Sequence, residues 1–206
     1  MTKFRTEKDS LGEVKVPLNA YYGAQTQRAV ENFEIGWPME FSLNLPYILI
    51  KKAAAMTNHA QKRLPKKLSD AIMKACDDIT DHPEKFIDQF PVPVFQTGSG
   101  TQTNMNVNEV VANRANEILG GSLGEYKFVH PNDHVNMSQS TNDTFPTAIL
   151  VGCVLSVEDN LLPILSLLEK SLQKKSREFD KIIKVGRTHL QDATPIKLGQ
   201  EFSGYA

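Results

Sequence analysis

The chain has 206 residues, 40% hydrophobic and 23% charged, with a formal net charge of −1. Lys and Arg (23) balance Asp and Glu (24) without a basic stripe, which argues against nucleic-acid or membrane-surface binding. The first residues, MTKFRTEKDS, show neither an apolar signal core nor an Arg-rich transit pattern. No apolar run reads as long enough to span a bilayer, so the expected location is cytoplasmic. Cys76 and Cys153 both fall in apolar helical patterns and are expected to be buried, reduced thiols.

In chain order, residues 1 to 44 read as irregular, except that Val14-Lys15-Val16 alternates like a short strand. Leu45-Pro46 opens a helix, with Pro in its permitted first turn. Ile48, Lys52, Ala55, Met56 and Ala60 run along it, and Leu64-Pro65 closes it. The spacing of Leu68, Ile72, Ala75 and Ile79 predicts a second helix from about Lys67 to Thr80. A shorter helical piece follows over Pro83 to Phe90. Pro91-Val92-Pro93-Val94 is extended. A small-residue loop, Gln96 to Thr103, leads into a helix from about Asn104 to Leu119, striped by Val107, Val110, Val111 and Ile118. Gly120-Gly121 stops it. From Asp143 a helical pattern runs to about Phe179, with a bend or break near Pro163. Val185 to Pro195 reads as a loop. There is no internal repeat and no strand array, and the class is mainly α.

Three polar segments carry chemistry. In Gly98-Ser99-Gly100-Thr101, small residues allow close backbone approach and two hydroxyls precede a helix start, a cradle for a carboxylate or phosphate. No Lys stands where a P-loop needs one. The alternative is that Ser and Thr only cap the next helix. In HPNDHVNMSQSTND (130 to 143), Ser140, Thr141 and Asn142 precede an apolar run that reads as a buried helix. One cap needs one such residue, and the surplus suggests an anion site. His130, Asp133 and His134 are also conceivable metal ligands, although no Cys or Glu stands nearby as a fourth. In Gly186-Arg187-Thr188-His189-Leu190-Gln191-Asp192, His189 is a candidate general acid or base. A solvated or capping role is the plainer alternative.

Taken together, FQTGSGTQTNMNVNEVVANRA (95 to 115), VHPNDHVNMSQSTNDTFPTA (129 to 148) and VGRTHLQDATPIKLGQEFSGYA (185 to 206) resemble class II fumarate hydratases of the aspartase/fumarase superfamily. The early DSLGEVKVPLNAYYGAQTQRAVENFEI is similar to the family's amino-terminal segment, so the resemblance covers nearly the whole chain. The TGSGTQ loop and the HPND tetrapeptide look like the fumarase branch rather than the aspartase branch. The resemblance implies a small amino-terminal α domain (1–139), then the start of a long central helix bundle (140–206). It implies that Ser99, Gly100 and Thr101 bind a substrate carboxylate, that Ser140, Thr141, Asn142 and Thr188 also hold substrate, and that His189 is the catalytic acid/base. Lys127, His130, Pro131, Asn132 and Asp133 would form a second, peripheral dicarboxylate site, with Lys127 the loosest match.

The reaction so implied is reversible hydration of fumarate to (S)-malate in the tricarboxylic acid cycle, without metal or organic cofactor. The implied partners are fumarate and malate; no nucleic acid and no membrane are expected. Each site of the family draws on three subunits of a homotetramer. The family's GSS-type segment, which carries its catalytic serine, is not found in these 206 residues. Family members are considerably longer, and a single bundle helix would leave its apolar face exposed. Two alternatives stand beside this: an aspartate ammonia-lyase, and a non-catalytic fragment or structural relative of the lens-crystallin kind.

Overall fold

A computed structural model describes residues 3–206. The chain divides into two compact units, Met1–Gly152 and Cys153–Ala206.

The first unit opens with an antiparallel hairpin, β1 (Phe4–Asp9) and β2 (Gly12–Pro17), followed by α1 (Ala24–Asn32). Val14, Val16, Ala20 and Ala24 form a small core beneath them. The expectation of an irregular amino terminus is corrected here. β1 (FRTEKD) has too few apolar residues to announce a strand, and α1 is too polar to show an apolar stripe. β1 is paired by the adjacent β2, and the first turn of α1 is held by Glu109, 83 to 86 residues away.

Three longer helices build the main core: α2 (Phe41–Ala60), α3 (Lys66–Asp81) and α5 (Thr101–Ile118). Between α3 and α5 lie the short α4 (Pro83–Phe86) and a 3-10 turn, Ile87–Gln89. Pro91–Pro93 is extended enough for Pro93 to bridge to Pro38. α2 starts earlier than Leu45, with Pro46 inside it. Its buried face carries Ile48, Lys51, Ala55 and Asn58, while Met56 is exposed, so the inward register is shifted from the one read along Lys52 and Met56. Burying Ile48, Tyr47, Ile72, Ile79, Val107, Val110 and Val111 completely supplies the main stabilisation, about 1.5–3 kcal/mol for each large apolar side chain.

α5 is buried on nearly all sides. Besides its Val and Ala residues it buries Asn104, Asn106, Asn108, Glu109, Asn113 and Asn116. Buried amides need partners, and these find them in the surrounding loops. Asn106 donates to Gln89 O at 2.8 Å. Asn113 donates to Tyr21 O and accepts from Gly124 N. Asn116 donates to Val129 O at 2.7 Å and accepts the N–H groups of Phe128 and Val129. The Glu109 carboxylate accepts the N–H groups of Gly23, Gln25 and Thr26 and the Thr26 hydroxyl, so it caps α1 from another helix. Burial pushes its carboxyl above the usual range, and those four donors pull the other way.

α6 (Thr141–Ser156), a π-type stretch (Val157–Leu161) and α7 (Leu162–Glu178) succeed one another as 38 helical residues. The interruption comes just before Pro163, whose missing N–H is tolerated in the first turn of α7. The division between the units falls inside α6. Its first turns pack on the first unit: Ala148 joins the core and Phe145 lies against it. Gly152 allows close approach, because a Cβ there would stand 3.2 Å from both Pro46 Cγ and Ser42 O. Beyond that point the helix is exposed, including Val154, Leu161, Ile164 and Leu167. The burial read from the apolar run is therefore corrected, while the exposed apolar face implied by the family resemblance is found; Cys153, expected buried, is exposed, and Cys76 is buried. An 18-residue window of the helix has a mean hydropathy of 1.8 and is 11% buried. By length and composition alone it is long and apolar enough to cross a bilayer, against the sequence expectation that no run is long enough.

The second unit adds a hairpin, β3 (Ile183–Thr188) and β4 (Gln191–Lys197), and α8 (Leu198–Tyr205). Phe179 meets Phe202 edge-on at 5.3 Å, and Ser176 donates to Gly199 O at 2.8 Å. The segment read as a loop over Val185 to Pro195 is this hairpin, with a register shift between Val185 and Arg187.

The Glu109 cap generates a stability prediction. Glu109→Ala strands three buried donors and the part-buried Gln25 N–H and is expected to lower unfolding free energy by about 3 kcal/mol or more. Glu109→Gln, which keeps one acceptor oxygen, should cost less. Urea denaturation measures both, and an Ala variant within 0.5 kcal/mol of wild type (roughly the neutral range for surface changes) would remove Glu109 from this role.

Candidate active site

The small-residue loop turns directly into α5. Gly100 occupies the N-cap position with a left-handed φ of 71°. A Cβ on it would stand 2.3 Å from Phe145 Cγ, so glycine is what lets the loop touch the first turns of α6. No side chain caps α5 at this position; instead Gln96 Oε1 accepts the Thr103 N–H at 3.0 Å. Ser99 and Thr101 are exposed, and their hydroxyls lie 3.0 Å apart. They are not engaged in the capping that the plainer alternative required. Thr101, Gln102, Arg28 and Met105 border a cavity of about 130 Å³.

At the start of α6 the Ser140 carbonyl accepts the N–H groups of Asp143 and Thr144, at 3.1 and 3.0 Å. Ser140 thus stands at the N-cap, with Ser140 and Asn142 exposed and Thr141 half-buried. The two hydroxyl-rich segments are brought to one end of the first unit by the Gly100–Phe145 contact and by Tyr47. The Tyr47 hydroxyl donates to Asn104 Oδ1 at 2.9 Å and lies 2.9 Å from Thr144 Oγ1. Beside it Lys51 Nζ donates to Asn104 Oδ1, Asn136 Oδ1 and Gln139 Oε1, at 2.7, 2.9 and 3.0 Å. Burial pushes the Tyr47 phenol up to about 12 and the Lys51 ammonium down to about 7.

Pro131–Val135 forms one π-type turn, with Pro131 buried and Asn132 and Asp133 exposed. His130 Nδ1 accepts the Asp133 N–H at 3.3 Å, and His134 Nδ1 accepts the His130 N–H at 2.8 Å. Both Nδ1 atoms are therefore occupied by main chain. Burial lowers the His134 pKa, and Asp133 opposes that shift. The Tyr126 ring meets His130 edge-on at 6.0 Å, and Lys127 is exposed, its Nζ 5.2 Å from the Phe128 ring centroid.

Thr188 and His189 lie in the second unit, at the tip of the β3–β4 hairpin and exposed. The two turn residues, His189 and Leu190, have φ of 50° and 61°. A two-residue turn of this hand favours Asn-Gly, and His-Leu carries strain of about 1–3 kcal/mol per residue. The turn fixes the backbone from which the imidazole projects.

Lys51, Tyr47 and Asn104 were not picked out from the sequence. The available signal was a Lys one turn after Ile48 on the helix face that also carries Tyr47 and Ala55. Charged residues are almost never fully buried unless paired, so Lys51 was passed over for Lys52.

A protein-family model described as "Lyase" matches residues 12–206. A mitochondrial fumarate hydratase of Rhizopus oryzae is 56% identical over 209 residues, covering 100% of this chain and 42% of that protein. A class II fumarate hydratase of Campylobacter jejuni is 54% identical, covering 98% and 44%. Among solved structures, a fumarate lyase:delta crystallin from Brucella melitensis superposes with a TM-score of 0.93 at 48% identity, covering 98% of this chain and 47% of that one. A class II fumarase from Schistosoma mansoni gives 0.92 at 47%, covering 98% and 43%. The chain thus spans less than half the length of these relatives.

The Gly100–Phe145 contact is testable by a double-mutant cycle. Gly100→Ala should destabilise the first unit by about 2 kcal/mol or more, through strain at positive φ and overpacking. Combining it with Phe145→Ala should cost clearly less than the sum of the two single changes. Additive losses in thermal or urea unfolding would show that the ring does not press on this glycine.

Proposed function

The chain belongs to the lyase family, within the aspartase/fumarase superfamily, and from that premise we propose that it supplies carboxylate-binding groups and the acid/base histidine of a class II fumarate hydratase. The observation that carries this reading is the meeting of two hydroxyl-rich helix starts, Ser99–Thr101 and Ser140–Asn142, across the Gly100–Phe145 contact. Oriented neutral donors at helix N-termini suit a dicarboxylate.

In the elimination direction, a base removes the proton next to a carboxylate of malate. The electron pair moves into that carboxylate and gives a dianionic aci-form. Fixed hydroxyl, amide and N–H donors stabilise such charge better than water does, because they need no reorientation. Ser99, Gly100, Thr101, Ser140, Thr141, Asn142 and Thr188 would supply them. His189 would protonate the departing hydroxyl, and in hydration would take the proton from water. The carbon base would be the serine of the family's GSS-type segment, which these 206 residues do not contain. Lys127, His130, Pro131, Asn132 and Asp133 would form the peripheral dicarboxylate site. No metal or organic cofactor is required by this chemistry.

The same reading places the function in the tricarboxylic acid cycle, in a homotetramer whose bundle covers the apolar face of α6 and α7. The domain division at 139/140 follows the start of α6, where that bundle would begin. A cytoplasmic location belongs to this proposal too, although several similar fumarases are named as mitochondrial.

The test follows the ultraviolet absorbance of fumarate. The 206-residue chain alone should leave it unchanged. The chain joined to the carboxyl-terminal segment of a class II relative should make it fall. Replacing His189 by Asn in the joined protein should slow turnover by about two to four orders of magnitude. An unchanged rate would remove His189 from the mechanism, and ammonia release from aspartate would move the reading to an ammonia-lyase.

A further inference from the structure

The Lys51 ammonium is completely buried and faces no carboxylate in its hydrogen-bond set. Its three hydrogens meet three neutral amide oxygens, from two different segments. Asn104 stands in the first turn of α5, three residues after Thr101. Asn136 and Gln139 bracket the short segment that joins the Pro131–Val135 turn to Ser140. That segment is a tight turn with local bonds of its own, Ser138 at φ 62°, Gln139 N donating to Asn136 O and Gln139 Nε2 to Val135 O and Met137 O, but none of these bonds reaches α5. Asn58, one helical face further along α2, donates to Met137 O at 3.0 Å.

We propose that Lys51 is a positioning residue: its ammonium form ties residues 136–139 to the start of α5 and so sets the position of Ser140–Asn142, and its deprotonation loosens that tie. A neutral amine has two hydrogens and a lone pair, so one of the three amide oxygens would face a lone pair instead of a donor. Loss of one proton therefore breaks the set rather than weakening it evenly. The titratable groups acting on Lys51 are few. Cys76 of α3 is one, a thiol that burial pushes up to about 12, so it is neutral at pH 7. Tyr47 of the same helix is the other, its ring centroid 4.9 Å from Nζ.

The sign follows from the group's folded value of about 7 against an ordinary 10.5. Below pH 7 Lys51 is charged in both folded and unfolded chains, and burying the charge opposes folding in full. Between about 7 and 10.5 the folded chain holds fewer protons than the unfolded one, so stability from this group rises with pH while the tie to residues 136–139 is lost. The pH range in which the fold gains and the site loosens is thus the same. The catalytic consequence rests on the reading of Ser140–Asn142 given above; the tie itself does not.

Nuclear magnetic resonance on the 206-residue chain tests this without substrate, so it stands or falls apart from the fumarase reading. With lysine labelled at Cε and the backbone labelled with ¹⁵N, the pH is taken from 5.5 to 9.5. The Lys51 Cε signal and the amide signals of Asn104, Asn136, Gln139 and Ser140–Asn142 should move through one midpoint, near 7. Imidazole signals of His130 and His134 in the same samples separate their titration from that of Lys51. In Lys51→Met the same amides should stay flat through that midpoint; where this variant does not fold, the wild-type titration alone decides. Amides of residues 136–142 that stay still while Lys51 titrates would overturn the proposal. So would a Lys51 that does not titrate in this range, or a midpoint shared only with His134.

Discussion

The buried polar side chains of α5 are the constraint on which the first unit depends. A helix enclosed on all sides is ordinarily apolar all round. This one carries five asparagines and a glutamate into the interior; Asn106, Glu109, Asn113 and Asn116 bond outward to loops and to the start of α1, and Asn104 to Tyr47 and Lys51 of α2. The sites held are Gly23 to Thr26, Tyr21, Gln89, Gly124 and Phe128 to Val129. Each loop would otherwise have to find partners for its own backbone, and the helix supplies them at fixed angles. Asn108 Oδ1 is the one buried side-chain polar atom recorded without a partner among the described residues.

The candidate site grows from one end of that helix. Gly100 ends the loop and begins the helix, Phe145 of α6 closes on it, and Tyr47 bridges Asn104 to Thr144. A network of this kind is demanding, because each unmet member costs about 1–3 kcal/mol. It also leaves little freedom to the hydroxyls mounted on its edges, which is the property a pre-oriented carboxylate site needs. The hydroxyl-bearing residues are exposed or half-buried while Gly100 and Tyr47, which help to place them, are buried, a separation of contact from support.

Much of this was legible in the sequence, for identifiable reasons. α3 and α5 announce themselves by periodic apolar residues and by Gly120-Gly121, and the segments around Ser99, Ser140 and His189 stand out as dense polar text beside helix starts. What escaped lacked a local signal. α1 lacks an apolar stripe because Glu109, 83 to 86 residues away, holds its first turn. The β3–β4 hairpin lacks Asn-Gly at its turn, so its tip read as a loop. Lys51 looked like an ordinary surface lysine one position from Lys52, because composition does not reveal which of two adjacent charges faces inward. The apolar run of α6 and α7 suggests burial by itself, whereas the family resemblance implies an exposed bundle face, and the exposed face is what is found among the described residues.

The long span of the Glu109 cap bears on how the chain comes into being. During synthesis Gly23 leaves the ribosome 86 residues ahead of Glu109. At roughly 5–20 residues per second, α1 waits on the order of five to fifteen seconds for the carboxylate that holds its first turn. Through that interval the amino-terminal hairpin and α1 are a nascent segment whose binding partner does not yet exist. The capping contact of α1 can form only once α5 has been made, so translation sets a lower limit on when the two ends of this long-range bond can meet.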